Sequence, residues 1–246
     1  MIGLQPEFLL PLEASLAAVR TAFGDRLSAF YLHGSVAQGD AVPHVSDLDA
    51  MLVLRDAVTE HDRAQQLRLQ EALLRQYPVF DEIHLNLIGE SDLAGNSFAC
   101  FALKYNAALL WGRDVTAEHP CPAPDTAMAK SRLAFARQCF DDALAGKQPA
   151  CTGPLPAAPY WRAHKFARYF VIIEGAYYLM SQSSFRSFRA QDVLPALQAA
   201  APQFDDVLAL TQAVLQNAQA AKIPAVAYLS AIKPFVNWLF THIDIA

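Results

Sequence analysis

Between residues 6 and 24 apolar side chains recur at helical spacing, through Phe8, Leu9, Leu12, Leu16 and Val19, and Gly24 supplies a stop. The period then shortens. LSAFYLH (27–33) and LDAMLVL (48–54) read as strands; GSVAQG between them reads as a turn opening a short helix, followed by a loop around Pro43. Residues 59–76 return to the helical period behind Thr59 as N-cap. Pro78 then opens a strand in VFDEIHLNLI, and ALLWG (108–112) reads as a further short strand.

From Thr126 onward only helical patterns remain, over 126–145, 160–181, 189–200, 204–220 and 225–242, the last expected to kink at Pro234. PACTGPLPAAP (149–159) is a loop by its prolines, and HPCPAPD (119–125) reads as a hinge. The pattern therefore predicts an α/β domain over 1–120 and an all-helical domain over 121–246.

Charged residues are 17% and apolar ones 54% of the 246 residues, which is the balance of a globular chain with a sizeable core. The formal net charge of −5 argues against a broad basic surface, so no nucleic-acid polymer is expected as partner. Cys100, Cys121, Cys139 and Cys151 form no C-x-x-C pair, and MIGLQPEFLLPLEAS lacks a basic leader, which predicts free thiols in a reducing cytoplasm. The longest apolar stretch, YFVIIEGAYYLM (169–180), is interrupted by Glu174 and too short for a bilayer, so no membrane segment is expected.

HGSVAQGDAVPHVSDLDAMLVL (33–54) carries the candidate chemistry. Side chains alternate along a strand, so Asp47 and Asp49 share a face while Leu48, Ala50, Leu52 and Leu54 turn to the core. Two like charges about 4 Å apart repel by about 4 kcal/mol at an effective dielectric of about 20, which a fold tolerates when a cation neutralises them. Oxygen ligands favour Mg²⁺, with Mn²⁺ as the alternative, and Mg²⁺ completes its shell with water and substrate phosphates. Gly34 lets backbone approach a phosphate, and Ser35 offers a hydroxyl and N–H groups to an anion.

FYLHGS, ten residues, then SDLDAMLVL resembles the signature of the nucleotidyltransferase family related to DNA polymerase beta. Gly34-Ser35, Ala37, Gly39-Asp40 and Ser46-Asp47-Leu48-Asp49 resemble the pattern of the aminoglycoside and minimal nucleotidyltransferases, with Gln38 where an arginine is common. The resemblance implies a mixed sheet, a cytoplasmic Mg²⁺-dependent transferase, and an NTP and a hydroxyl-bearing acceptor as partners. An NMP, AMP from ATP, would move onto a small aminoglycoside-like molecule or a protein hydroxyl. It further implies that Asp47 and Asp49 hold the metal and act in catalysis, with Gly34 and Ser35 at the nucleotide.

The family also has a third carboxylate on the neighbouring strand. In VFDEIHLNLI the core positions would be Ile83, Leu85 and Leu87, leaving Glu82, His84 and Asn86 on the other face. Glu82 is the choice for activating the acceptor, and His84 is the alternative occupant of that position. In the helical half, Arg162, Lys165 and Arg168 follow one another along one helical face. Lys165 and Arg168 resemble the family's K-x-x-R and are the nucleotide-binding candidates; Arg189 is a weaker one. Glu174 is either paired with an arginine inside the helical half or contacts a polar acceptor. Two rival readings remain, a metal-dependent glycosyltransferase, which shares Asp-x-Asp but lacks the upstream Gly-Ser, and a non-catalytic nucleotide- or partner-binding module of the same fold.

Overall fold

The computed structural model describes residues 4–93, 95–117, 126–151, 155 and 159–242. The hinge expected over 119–125, Cys121 and most of the 149–159 loop lie outside the described residues. The chain divides into two compact units, Met1–Ala123 and Pro124–Ala246.

In the first unit helix α1 (Pro6–Phe23) leads into strand β1 (Leu27–His33), the short helix α2 (Gly34–Gln38) and strand β2 (Leu48–Leu54). Helix α3 (Glu60–Gln76) crosses to strand β3 (Ile83–Gly89), and two short helices, α4 (Glu90–Leu93) and α5 (Ser97–Phe101), precede strand β4 (Ala108–Gly112). The four strands lie in the order β3-β2-β1-β4. β2 and β3 are parallel, as a helical crossover requires, and the other two pairs are antiparallel, so the sheet is mixed.

The sheet buries both faces, but not evenly. Phe30, Leu32, Leu48, Ala50, Leu52, Ile83 and Leu85 pack with Phe8, Leu12 and Val19 of α1 and Leu73 of α3. On the opposite face Ala29, Val53 and Ile88 meet Leu93, Ala99, Leu103 and Val115. Apart from Val115, that second layer comes from residues 90–106, which the sequence pattern did not resolve because its helices are only four and five residues long. The covering ends part-way, and the polar residues of this face lie at the end where β1 stops and β2 begins.

α3 starts at a capping box: the Thr59 hydroxyl accepts from the Asp62 N–H at 3.2 Å and Asp62 Oδ2 accepts from the Thr59 N–H at 2.8 Å. Arg26 grips the same carboxylate at 2.6 and 3.0 Å, which holds the Asp62 carboxyl well below its usual range and ties the start of β1 to α3. The strand expected from residue 79 begins only at Ile83. Residues 78–82 instead turn, because Phe80 is buried and stacks on Phe8 with ring centroids 5.4 Å apart, and Asp81 N–H donates to Ser46 O at 3.1 Å.

The regular elements of the second unit's described residues are all helical: α6 (Thr126–Leu144), α7 (Pro159–Phe166), a wider π-helical stretch Ala167–Ile173, α8 (Glu174–Gln182), α9 (Ala190–Ala200), α10 (Asp205–Gln216), α11 (Ala218–Ala221) and α12 (Ala225–His242). The helix expected over 204–220 is interrupted at Asn217, whose φ of −156° is not helical. α12 runs on through Pro234. No described helix is long and apolar enough to cross a membrane.

Candidate active site

β1 and β2 run antiparallel, so His33 at the end of β1 pairs with Asp49 near the start of β2. β3 runs parallel to β2 on its other side and sets His84 against the same aspartate. Directly paired residues share a face, so His33, Asp49 and His84 form one cross-strand row with the carboxylate in the middle. One step toward the start of β2, the Leu48 N–H donates to the Glu82 carbonyl at 2.9 Å, which brings Glu82 beside Asp47. Asp47, Glu82 and His84 each offer a ligand atom within 4.8 Å of the other two, and all three are half-buried.

Asp49 meets the Gly34 turn directly. A Cβ built on Gly34 would fall 2.2 Å from Asp49 Oδ2, and Gly34 has a φ of +70°, which L side chains rarely adopt. Glycine is therefore what lets the Asp49 carboxylate lie against the backbone between β1 and α2. Gly34→Ala is expected to destabilise the protein by about 2 kcal/mol or more and to displace Asp49; thermal melts read the first effect and Mn²⁺ titration the second.

The histidines set the electrostatics of the row. Burial pushes the His33 imidazole below its ordinary value, with Asp49 pulling it up and His84 opposing, and its Nε2 is buried without a hydrogen-bond partner among the described residues. His84 Nε2 lies 3.1 Å from Glu82 Oε2, with side chains 39% and 23% exposed respectively, so both reach solvent. Asp47, Glu82 and His84 make a donor set that could hold a divalent cation, which would relieve the repulsion between the carboxylates, and Asp49 and His33 stand beside it in the cross-strand row.

No protein-family model and no curated protein sequence matches the chain. Among solved structures, spectinomycin adenyltransferase AAD(9) from Enterococcus faecialis, solved with ATP and spectinomycin, is similar over 96% of this chain and 98% of its own, at a TM-score of 0.56 and 12% identity. The chain shares the fold of that protein. A toxin-antitoxin complex solved with AMP-PNP matches over 54% of this chain and 98% of its own at 18% identity, and its TM-score of 0.34 adds nothing to that likeness.

On this fold the first unit collects Gly34, Ser35, Asp47, Asp49, Glu82 and His84 around the ends of β1, β2 and β3. Ser35 lies in the first turn of α2 and is half-buried. His33 belongs to the same row and was not singled out from sequence; its parity with Ala29 and Tyr31, ending against Gly34, was the available signal. Lys165 in α7 and Arg168 in the π-helical stretch belong to the second unit, half-buried, and neither lacks a partner. Arg189 is exposed at the N-cap of α9. Glu174 resolves to the first of its two readings: it is fully buried, with Oε1 3.0 Å from Arg132 Nη2.

Proposed function

We propose that the chain is a divalent-metal-dependent nucleotidyltransferase that moves AMP from ATP onto a hydroxyl of a small, aminoglycoside-like acceptor. The carrying observation is the convergence of Asp47, Glu82 and His84 within 4.8 Å, beside an Asp49 that lies against the Gly34 backbone. The likeness to an adenyltransferase crystallised with ATP and spectinomycin covers nearly the whole chain at the level of fold, which favours a small-molecule acceptor over a protein hydroxyl.

Asp47 and Asp49 would hold the ion, which when bound supplies charge neutralisation on the triphosphate. Gly34 lets the chain approach the phosphates closely, and Ser35 donates its hydroxyl to them. Lys165 and Arg168 are proposed for the β- and γ-phosphates on sequence resemblance alone. Glu82 accepts the proton of the acceptor hydroxyl as that oxygen bonds to the α-phosphorus. The bond from the α-phosphorus to the bridging oxygen breaks and pyrophosphate leaves. The contact between His84 and Glu82 orients the carboxylate for that transfer.

The test is pyrophosphate release from labelled ATP across a panel of hydroxylated acceptors, run on the wild type and Glu82→Ala. At least one acceptor is expected to support turnover, with the variant losing about 10²-fold or more while still binding the metal-nucleotide complex. Equal turnover by Glu82→Ala would remove Glu82 from the role. Nucleotide binding with no transfer to any acceptor would favour the non-catalytic module.

A further inference from the structure

We infer that this site is a mixed carboxylate–imidazole centre in which His84 supplies a nitrogen ligand, so that it takes a first-row transition ion in preference to Mg²⁺. The inference rests on the reading of Asp47 and Asp49 as metal-holding residues and concerns which ion they hold.

Three observations carry it. A ring nitrogen of His84 stands within 4.8 Å of ligand atoms of both Asp47 and Glu82. An octahedral ion with bonds of about 2.1 Å separates its ligand atoms by about 3 to 4.2 Å, so modest rotations of the partly exposed Asp47 and His84 side chains bring both to one ion. The register then fixes His84 rather than leaving it adventitious, because β3 pairs it with Asp49 near the start of both strands, on the face where the apolar cover has ended. Finally, the row continues to His33, whose buried Nε2 has no hydrogen-bond partner among the described residues, so a second imidazole borders the Asp49 carboxylate. Metal-binding carboxylates lined by two imidazoles are less hard than a purely oxygen site.

The chemical consequence is selectivity. Mg²⁺ prefers oxygen and gives up its water reluctantly, whereas ions from Mn²⁺ onward gain affinity from an imidazole nitrogen, rising along the first transition row. One nitrogen donor in place of an oxygen therefore shifts preference without altering the geometry that a triphosphate needs.

Mn²⁺ is the probe, because its binding is read by electron paramagnetic resonance without any turnover. The full chain is titrated with Mn²⁺ and with competing Mg²⁺, as wild type, His84→Ala, His84→Gln and Asp47→Asn, with melting temperatures confirming that each is folded. Wild type is expected to bind Mn²⁺ at least ~10-fold more tightly than Mg²⁺ and to show nitrogen hyperfine coupling to the bound ion. Both His84 variants should lose that coupling and ~10-fold or more of Mn²⁺ affinity, with Mg²⁺ affinity changed much less. Mn²⁺ binding that Asp47→Asn weakens, but that shows no nitrogen coupling and the same Mn²⁺/Mg²⁺ ratio in the His84 variants, would overturn the inference and leave the carboxylate site standing. Mn²⁺ binding indifferent to Asp47→Asn would overturn both.

Discussion

Asp47→Asn and Asp49→Asn are each expected to lower the rate of nucleotidyl transfer by about 10³-fold while leaving the melting temperature within a few degrees of wild type. Asparagine keeps the shape and removes the charge. The sheet does not need that charge: Asp47 precedes β2 and Asp49 is half-buried, while the packing is made by Leu48, Ala50 and Leu52 on the other face. Removing one of two adjacent carboxylates relieves repulsion in the metal-free protein, so stability is expected to hold or rise slightly. A divalent ion bound to a triphosphate does need both charges. The two substitutions are therefore expected to separate activity from folding, by pyrophosphate release on one side and thermal melts on the other. Loss of both together would mean that the aspartates serve the fold.

The largest expected effect on stability lies in the second unit. Glu174 is completely buried, and its contact with Arg132 is close but poorly aligned, since neither carboxylate oxygen has a hydrogen bond of good geometry. Burial therefore prevails over the attraction of Arg132 and pushes the Glu174 carboxyl up to about 7. Between its ordinary value of 4.5 and about 7 the folded protein holds this proton more firmly than the unfolded chain does, so Glu174 makes stability fall as pH rises through that window. Arg132 limits the fall. Its guanidinium also contacts the Tyr169 hydroxyl and lies 4.9 Å from that ring and 5.8 Å from the ring of Tyr177.

Arg132→Met leaves the Glu174 charge buried without a counterion and is expected to cost about 3–5 kcal/mol above pH 7, a drop in melting temperature on the order of 10 °C. The loss should shrink toward pH 5, where Glu174 takes up a proton. Adding Glu174→Gln should restore most of the stability and flatten the pH dependence. Melts of the three proteins from pH 5 to 8.5 measure this, and a loss that is the same at every pH and unrelieved by Glu174→Gln would show that Arg132 acts by packing alone.

What the sequence disclosed follows the range of the interactions involved. β1 and β2 are apolar runs closed by Gly34 and by the Pro43 loop, and α3 carries its own capping box, so local rules located them. The wide π turn over Ala167–Ile173 left no mark in a pattern that is apolar apart from Arg168. Phe80 pulls residues 78–82 out of the sheet through its stack on Phe8, 72 positions earlier, and nothing local signals that. The same holds at the site. Alternation alone groups Asp47 with Asp49 and Glu82 with His84, but the row His33–Asp49–His84 exists only through the parallel register of β3 on β2 and the antiparallel register of β1. Glu174 stood out as a charge in an apolar stretch, yet its partner Arg132 lies on a different helix, 42 positions earlier.

Whether one divalent ion joins Asp47 and Asp49 to a triphosphate is tested most directly by anomalous diffraction from crystals grown with Mn²⁺ and a non-hydrolysable ATP analogue. The expected result is a manganese peak about 2.2 Å from an oxygen of each aspartate, with phosphate oxygens in its shell and the triphosphate beside Gly34 and Ser35. A nucleotide bound with no metal at these two carboxylates, or a metal held elsewhere on the chain, would contradict it.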